Sequence, residues 1–290
     1  MAELGGVGLW APGFREGEPG EVRDAVAELE GLGYTALWMP GGAGGPILER
    51  AQLLVDATMT ITIATGILNI WAHEPDDVAT AHASIELRAQ GRFLLGLGVS
   101  HAPMVDRVAP GGYSKPLSKM RSHLDALDAQ PTPVPPSERV LAALGPKMLD
   151  LARERAAGAH PYFVPVAHTR FARERLGPEP LLAPEQGVVL DEDPAAAKAK
   201  AREHVARYLQ LPNYTNNLLR HGLTEDDLRD GGSDRLLDAI VVTGGVEAVA
   251  RRIAEHREAG ADHVCLQVLG EGLLPLAQWR ALAEGLSLTD

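Results

Sequence analysis

Short apolar runs alternate with amphipathic segments along almost the whole chain, and this alternation predicts the fold. Apolar runs bounded by turn residues are typical of strands buried on both faces of a parallel sheet. Eight runs are predicted as strands: 7–11, 36–39, 60–68, 93–99, 139–144, 159–164, 181–190 and 263–269. Eight strands separated by helices within 290 residues favour an α/β fold of the (β/α)8 TIM barrel type over a doubly wound sheet.

The regular alternation breaks between residues 212 and 240. Two short helical pieces are predicted there, and one begins at Thr224, where Asp227 three residues later gives a capping-box type of start. No G-x-G-x-x-G follows the first strand, as a dinucleotide-binding sheet would require. We therefore predict one barrel domain over residues 1–290, with a short irregular helical insertion at 212–240 before the last strand.

The fourth predicted strand is the most informative segment. Its apolar run from Phe93 to Val99 contains Gly96 and Gly98, and it ends in Ser100 and His101. Glycines inside a strand allow another backbone or a flat ligand to approach closely. The carboxyl ends of barrel strands carry the chemistry of such folds. The sequence therefore predicts a ligand site at this end of the strand.

The chain carries a formal net charge of −12 at pH 7, which narrows the choice of partners. Nucleic acids and anionic membranes bind basic surfaces, so neither is predicted, and a small-molecule substrate is expected. No apolar stretch reaches the length of a membrane span, and the N-terminus lacks the basic start of a signal peptide, which predicts a cytoplasmic protein. Cys265 is the single cysteine and is expected to be buried and inert. Because no His, Asp and Glu cluster has metal-site spacing, no metal is predicted.

Five segments together carry a resemblance that covers nearly the whole chain. They are Thr-Ile-Thr-Ile-Ala-Thr-Gly-Ile-Leu-Asn at 60–69, the run at 91–101, Ala-Leu-Gly-Pro-Lys-Met at 143–148, Arg-Ala-Ala-Gly-Ala at 155–159 and Glu-Ala-Gly-Ala-Asp-His at 258–263. In this order they resemble the luciferase-like flavin and deazaflavin oxidoreductases. The resemblance is closest to the subgroup that uses coenzyme F420, through Gly-Val-Ser-His-Ala-Pro at 98–103 and Leu-Pro-Asn-Tyr at 211–214.

The resemblance implies that a flavin-like tricycle binds in the barrel mouth. A cis peptide bond between Asn69 and Ile70 would lie against one face of the ring. Backbone amides at Gly145 and the start of the following helix would hold the phosphate. The cofactor-binding residues implied in this way are Asn69, Ile70, Gly98, Ser100, His101, Ala143, Leu144, Gly145, Pro146, His160 and Tyr162.

The activity implied by the resemblance is hydride transfer between coenzyme F420 and an unidentified small organic substrate. His101, Ser100 and His73 are the candidate catalytic residues. His101 would exchange a proton or stabilise charge on the ring, because histidine titrates near neutral pH. The alternative for His101 is a simple hydrogen bond to the ring or to a loop carbonyl.

Two other functions stay open on the same sequence. An FMN-dependent luciferase-like monooxygenase would keep the fold and use oxygen. A non-catalytic barrel would bind a cofactor or small molecule without turnover. The second is motivated by the end of strand two, where Met39-Pro40-Gly41-Gly42 replaces the acidic residue or histidine common in the family.

Three further expectations concern side chains away from the mouth. His123, His204 and His256 fall on amphipathic helices and are predicted to be solvated. Glu185 and Gln186 lie within strand seven and need partners, which favours a structural network. A homodimer is expected, since apolar residues after strand two suit an interface as well as packing within the barrel: Ile47, Leu48, Leu53, Leu54 and Val55.

Overall fold

The computed structural model describes residues 4–42, 45–106 and 111–289. Within these ranges every strand pairing is parallel. The strands are β1 (Val7–Trp10), β2 (Ala36–Met39), β3 (Thr62–Thr65), β4 (Leu68–Asn69), β5 (Phe93–Gly98), β6 (Arg139–Leu141), β7 (Gly158–Ala159), β8 (Leu181–Leu182), β9 (Glu185–Val189), β10 (Val241–Thr243) and β11 (Val264–Val268).

Helices follow the strands and cover the outside of the sheet. They are α1 (Gly13–Glu16), α2 (Pro19–Gly31), α3 (Ile47–Asp56), α4 (Pro75–Ala89), α5 (Ala102–Val105), α6 (Pro116–Asp128), α7 (Pro146–Arg155), α8 (Val166–Leu176), α9 (Pro194–Tyr208), α10 (Pro212–Arg220), α11 (Asp234–Ile240), α12 (Val246–Glu258) and α13 (Leu276–Gly285). Several begin with proline in the first turn, where its missing N–H costs no hydrogen bond.

The sheet closes into a ring, and two strands of this ring are each divided into two short strands. β8 pairs with β7 and β9 pairs with β11, and only residues 183 and 184 separate β8 from β9. β3 and β4 are likewise two halves of one strand that lies beside β5. With each interrupted strand counted once and β10 set aside, eight strands surround the axis in the described residues. The predicted (β/α)8 barrel is therefore confirmed.

The insertion before the last strand contains α10, a 3-10 turn at Asp226–Leu228, and α11. At the predicted start, the backbone N–H and hydroxyl of Thr224 both donate to Asp227 Oδ2, at 2.9 and 2.8 Å. Because these bonds satisfy the first turn, a helical start does form at Thr224. The insertion ends in β10, which was not predicted as a strand and which pairs with β9.

The ring interior is filled by alternate residues of the strands. On β2, Ala36 and Trp38 belong to the inner cluster, whereas Leu37 and Met39 pack with the helices. The Trp38 indole stacks on the His160 ring at 4.2 Å between centroids. Its N–H donates to His263 Nε2 at 3.2 Å. Trp38 therefore closes the middle of the barrel and leaves the carboxyl mouth as the open end.

The prediction that three helical histidines are solvated is wrong. His123, His204 and His256 are all buried, because they lie on the inner faces of α6, α9 and α12. The His256 ring bonds the Thr169 hydroxyl at 2.8 Å and Gln186 Oε1 at 3.1 Å. The network expected for Gln186 is therefore present, and it includes one of the histidines expected in solvent.

The apolar residues of α3 pack mainly within the protomer. Ile47, Leu54 and Val55 are buried in the main core, and Leu48 and Leu53 pack partly against it. Packing in the barrel thus accounts for the pattern that suggested an interface. Among the described residues, no helix has the length and apolarity to cross a membrane.

Candidate functional site

A cavity of about 720 Å³ opens at the carboxyl ends of the strands. This is the size of a small-molecule or cofactor site. Its wall comes from the end of β1, the β3–β4 junction, the loops after β5, β6 and β7, and the helices α9 and α10. Eight predicted cofactor-binding residues line it: Ser100, His101, Ala143, Leu144, Gly145, Pro146, His160 and Tyr162.

The other predicted site residues lie outside this wall. Asn69 is buried, and its side-chain oxygen accepts a hydrogen bond from the Trp71 amide at 3.1 Å. Ile70 is also buried. His73 lies before α4, and burial lowers the pKa of its imidazole. None of the three faces the cavity.

Gly98 affects the shape of the cavity through the side chain of Ile67. A Cβ atom at this position would collide with the outer end of the Ile67 side chain. Ile67 lines the cavity. The absent side chain at Gly98 therefore creates the space into which Ile67 withdraws.

The cis peptide bond lies between Gly66 and Ile67, so the prediction of Asn69–Ile70 is wrong. The packing around Gly66 explains why glycine occupies this position. A Cβ there would lie 2.7 Å from Trp10 Nε1 and 3.0 Å from His160 Nε2. The Gly66 carbonyl also accepts a hydrogen bond from Trp10 Nε1 at 2.9 Å. Gly66 thus sits where two strands and one loop meet at the cavity.

The Ser100–His101 wall contacts the insertion. Ser100 has a φ of 53° and turns the chain from β5 into α5, with His101 as the residue before the helix. The His101 ring lies 4.9 Å from the Tyr214 ring, and the Asn213 amide donates to His101 Nδ1 at 3.4 Å. Burial lowers the pKa of His101 to about 4. The ring is therefore neutral at pH 7, with its proton on Nε2.

His160 carries its proton on the other ring nitrogen. Its Nδ1–H donates to the Ala183 carbonyl at 2.7 Å, which fixes the tautomer. Burial lowers the pKa of the ring to about 4, so Nε2 is unprotonated. Nε2 has no hydrogen-bond partner, and the residue lines the cavity. His160 Nε2 is therefore a fixed hydrogen-bond acceptor without a partner in the protein.

Two tyrosines extend this acceptor surface. The Tyr162 hydroxyl donates to Gln267 Oε1 at 2.8 Å. The Tyr208 hydroxyl lies 2.8 Å from that of Tyr162 and must be the donor between them, because the Tyr162 proton is already used. Burial raises the pKa of Tyr208 to about 12. Both hydroxyls line the cavity, and Tyr208 keeps a free lone pair.

Glu185 lies behind the tyrosines and was not predicted as a site residue. Its Oε2 accepts a hydrogen bond from the Phe163 amide at 3.1 Å, and its Oε1 has no partner. Burial raises the pKa of this carboxyl to about 8. The side chain is therefore protonated at pH 7. A glutamate within an apolar strand was the available signal, and it was interpreted only as structural.

The polar end of the cavity suits an anion. Gly145 precedes α7, which has no side-chain cap and no acidic residue in its first turn. A side chain at Gly145 would meet no other atom within 4 Å. Lys147 and Arg220 line the same cavity, and no carboxylate does so among the described residues. Helix amides and two cations together favour a phosphate or carboxylate group.

Several of these wall residues were missed by sequence reasoning. Asn213 and Tyr214 belong to an amide-rich stretch at 213–217, a composition that suits a lid as well as a surface turn. The structure places them on α10, with Tyr214 buried against His101. Lys147 lies in the segment 143–148 that carries the family resemblance, but a lysine by itself does not indicate a binding site.

Comparison with known proteins identifies the family and the fold. The sequence model of the luciferase-like monooxygenase family matches residues 7–263. A Mycobacterium tuberculosis protein, provisionally named a coenzyme F420-dependent oxidoreductase, is 21% identical over 83% of this chain and 89% of its own length.

Two solved structures share the fold. An F420-dependent secondary alcohol dehydrogenase, in complex with an F420-acetone adduct, superposes with a TM-score of 0.75 at 14% identity, covering 99% of both chains. A Baeyer-Villiger monooxygenase component from Pseudomonas putida, in complex with FMN, gives 0.69 at 14% identity, covering 96% of this chain and 95% of the other. At these identities the likeness is one of fold.

Proposed function

The chain belongs to the luciferase-like monooxygenase family of oxidoreductases, and on that premise we propose that it is a coenzyme F420-dependent oxidoreductase. It transfers a hydride between the deazaflavin and a small organic substrate. The observation that carries this proposal is the cavity beside the uncapped start of α7, which two cations line and, among the described residues, no carboxylate does. Coenzyme F420 has a phosphate followed by carboxylates, whereas FMN ends at its phosphate. Two cations, Lys147 and Arg220, suit the longer anionic tail.

The residues present fit such a group. Gly145 leaves open space before the α7 amides, which together with Lys147 would hold the phosphate. Ile67 and Trp10 give the apolar surface for a flat ring. When bound, the coenzyme supplies a ring carbon that accepts or gives a hydride, which protein side chains cannot do.

The side chains position the reacting partners and hold protons. His160 Nε2 accepts a hydrogen bond from a donor on the bound ligand. His101 keeps its proton on Nε2 and donates towards the cavity, while Ser100 orients it. Because both rings are neutral near pH 7, neither adds a positive charge to the mouth. His73 lies off the cavity wall and has no role in this scheme.

Equilibrium titration with F420 and FMN tests the proposal. We expect micromolar affinity for F420, read out by quenching of tryptophan fluorescence, and weaker binding of FMN. A clear preference for FMN, with substrate-dependent oxygen uptake, would instead make the protein a flavin monooxygenase like its FMN-bound structural neighbour. Failure of a folded sample to bind F420 at high micromolar concentration would remove the proposal.

We also propose a cytoplasmic homodimer as the working form. Met59 and Leu87 are both 81% exposed, one just after α3 and the other on α4. Large exposed apolar side chains on α4 and beside the end of α3 suit a contact between copies. Light scattering coupled to size exclusion would give twice the mass of 30.9 kDa if this is correct.

A further inference from the structure

Three potential metal ligands meet at the amino-terminal end of the barrel, opposite the cavity. His82 and Glu86 lie one turn apart on α4. Glu138 comes from the 3-10 turn at Pro136–Glu138, directly before β6. Glu138 is remote in sequence, so the spacing along the chain does not reveal the cluster. Among residues 4–42, 45–106 and 111–289, no other group of three His, Cys, Asp or Glu side chains converges in this way.

The separations suit a bound cation. One ligand atom from each of the three side chains lies within 4.8 Å of the others. His82 Nε2 and Glu138 Oε2 are 3.4 Å apart. Two ligands at zinc distances of about 2.0–2.2 Å in tetrahedral geometry lie about 3.4 Å from each other. The same separation is too long for a good hydrogen bond.

The buried imidazole supplies an independent indication. His82 is only 4% exposed, and its Nε2 atom has no hydrogen-bond partner. A buried polar atom without a partner destabilises the folded protein. The ring contacts Phe93 at 5.6 Å between centroids, which holds it beside the two carboxylates. A cation at Nε2 would satisfy this atom.

The surroundings resemble a prepared coordination site. The Gly91 amide donates to Glu86 Oε2 at 2.7 Å, and the Phe93 amide donates to Glu86 Oε1 at 3.2 Å. Such outer contacts orient a ligating carboxylate and leave each oxygen a further lone pair. A small cavity of about 30 Å³ borders Glu138 and has room for about one water.

We propose that His82, Glu86 and Glu138 bind a divalent transition-metal cation, with Zn²⁺ as the best match. Imidazole nitrogen with carboxylate oxygen is a ligand set that zinc accepts. The cation would join α4 to the chain entering β6. Because this end of a barrel serves stability rather than chemistry, the metal has a structural role.

The test uses the full chain, free of any affinity tag and stripped of metal by a chelator. Calorimetric titration with ZnCl₂ at pH 7.5 is expected to show one site, and zinc is expected to raise the melting temperature by several degrees. His82→Asn and Glu138→Gln are each expected to weaken zinc binding about 100-fold and to remove the thermal shift. Glu138→Gln is the milder change, because this side chain is partly exposed, so it covers the case in which His82→Asn does not fold.

His123→Asn is the matched control. His123 is also buried on a helix with unpartnered ring nitrogens, but its neighbours are the basic residues Lys119, Arg139 and His73 rather than carboxylates. This variant is expected to bind zinc as the parent does. Zinc binding that persists in both His82→Asn and Glu138→Gln, or no binding by the parent at millimolar zinc, overturns the proposal and leaves a simple His82–Glu138 contact.

Discussion

The cavity has two walls that are built in different ways. On the inner side His160 lines the cavity, and Trp38 and Glu185 lie behind this wall; all three are buried and held by the barrel itself. The outer wall consists of His101, Asn213, Tyr214 and Arg220, and three of these four come from the insertion helix α10. His160 is fixed by a backbone carbonyl at 2.7 Å, whereas His101 is held by one side-chain amide at 3.4 Å.

The two histidines also present opposite atoms. Each is neutral because burial lowers its pKa to about 4. The Ala183 carbonyl forces His160 to offer an acceptor, while the Asn213 amide leaves His101 with a donor. A single residue type therefore gives two hydrogen-bonding roles, set by which ring nitrogen finds a protein partner. The inner wall is expected to dominate function, and four experiments test this difference.

The largest effect is expected for His160→Phe. The aromatic ring can still stack on Trp38, but the acceptor is lost and a ligand donor is left unpaired. We expect F420 affinity to fall roughly 10-fold or more and turnover roughly 100-fold or more. His263→Phe is the control, since His263 also contacts Trp38 but does not line the cavity. Equal losses in both variants would mean that His160 acts only by packing.

The second-largest effect is expected for Glu185, in the pH dependence of the free energy of unfolding. The folded protein keeps this proton up to about pH 8, whereas a free glutamate releases it near pH 4.5. Its contribution to stability is therefore full below about pH 4.5 and is lost as the pH rises to about 8. Between pH 6.5 and 8 the loss should be about 2 kcal/mol. Burial lowers the pKa of several histidines from 6.5 to about 4, and because these are partly protonated in the unfolded chain at pH 6.5, they add stability as the pH rises to 8. This contribution is the same in the parent and in a Glu185 variant, so the difference between the two proteins isolates Glu185.

Urea unfolding of the parent and of Glu185→Gln at the two pH values measures this effect. The amide cannot ionise, so the free energy of unfolding of the variant, relative to that of the parent, should rise by about 2 kcal/mol between pH 6.5 and 8. Parallel curves for the two proteins would show that Glu185 is already ionised in the folded state.

A smaller effect on cofactor affinity is expected for the two cations that line the cavity. Lys147→Ala and Arg220→Ala should each weaken F420 binding roughly 5- to 10-fold, and less so at high salt. Arg220→Ala should leave FMN binding nearly unchanged if this residue meets the tail that FMN lacks. Lys119→Ala is the control, because Lys119 lies 5.5 Å from the Trp71 ring and outside the cavity. Equal weakening of FMN and F420 would place Arg220 at the phosphate.

The smallest effect is expected for Asn213→Ala. The His101 ring loses its amide partner but keeps its contact with Tyr214. We expect turnover to fall only roughly 2- to 5-fold, since a long and exposed hydrogen bond contributes little net free energy. Steady-state kinetics would measure it. A loss as large as that of His160→Phe would contradict the assignment of the dominant role to the inner wall.

The fold was predictable because the apolar pattern reports burial directly. Buried parallel strands are apolar throughout, and the glycines and prolines between them mark the ends of elements. The strands at 139–144 and 159–164 were predicted too long, since β6 and β7 end at Leu141 and Ala159. Most of the remaining residues of those runs line the mouth and are buried or half-buried there, and an apolar pattern does not separate this case from a strand.

The candidate site was predictable only in part. Ser100, His101 and the segment 143–146 follow strands, so the rule for barrel mouths places them at the cavity. The tautomers of His101 and His160 depend on Asn213 and on the Ala183 carbonyl, which lie far away in sequence. The buried histidines were missed because a helix pattern does not tell whether a polar residue on its inner face finds a partner.

A substitution at Gly98, which lies behind Ile67 in the cavity wall, would change the volume of the cavity mouth. A single methyl group at this position would meet only the flexible tip of Ile67 and the Ala142 side chain, so the isoleucine would be pushed forward into the empty space. No polar group facing the ligand would change. Gly98→Ala would therefore narrow the entrance of the cavity for a bulky planar ligand while leaving room for water.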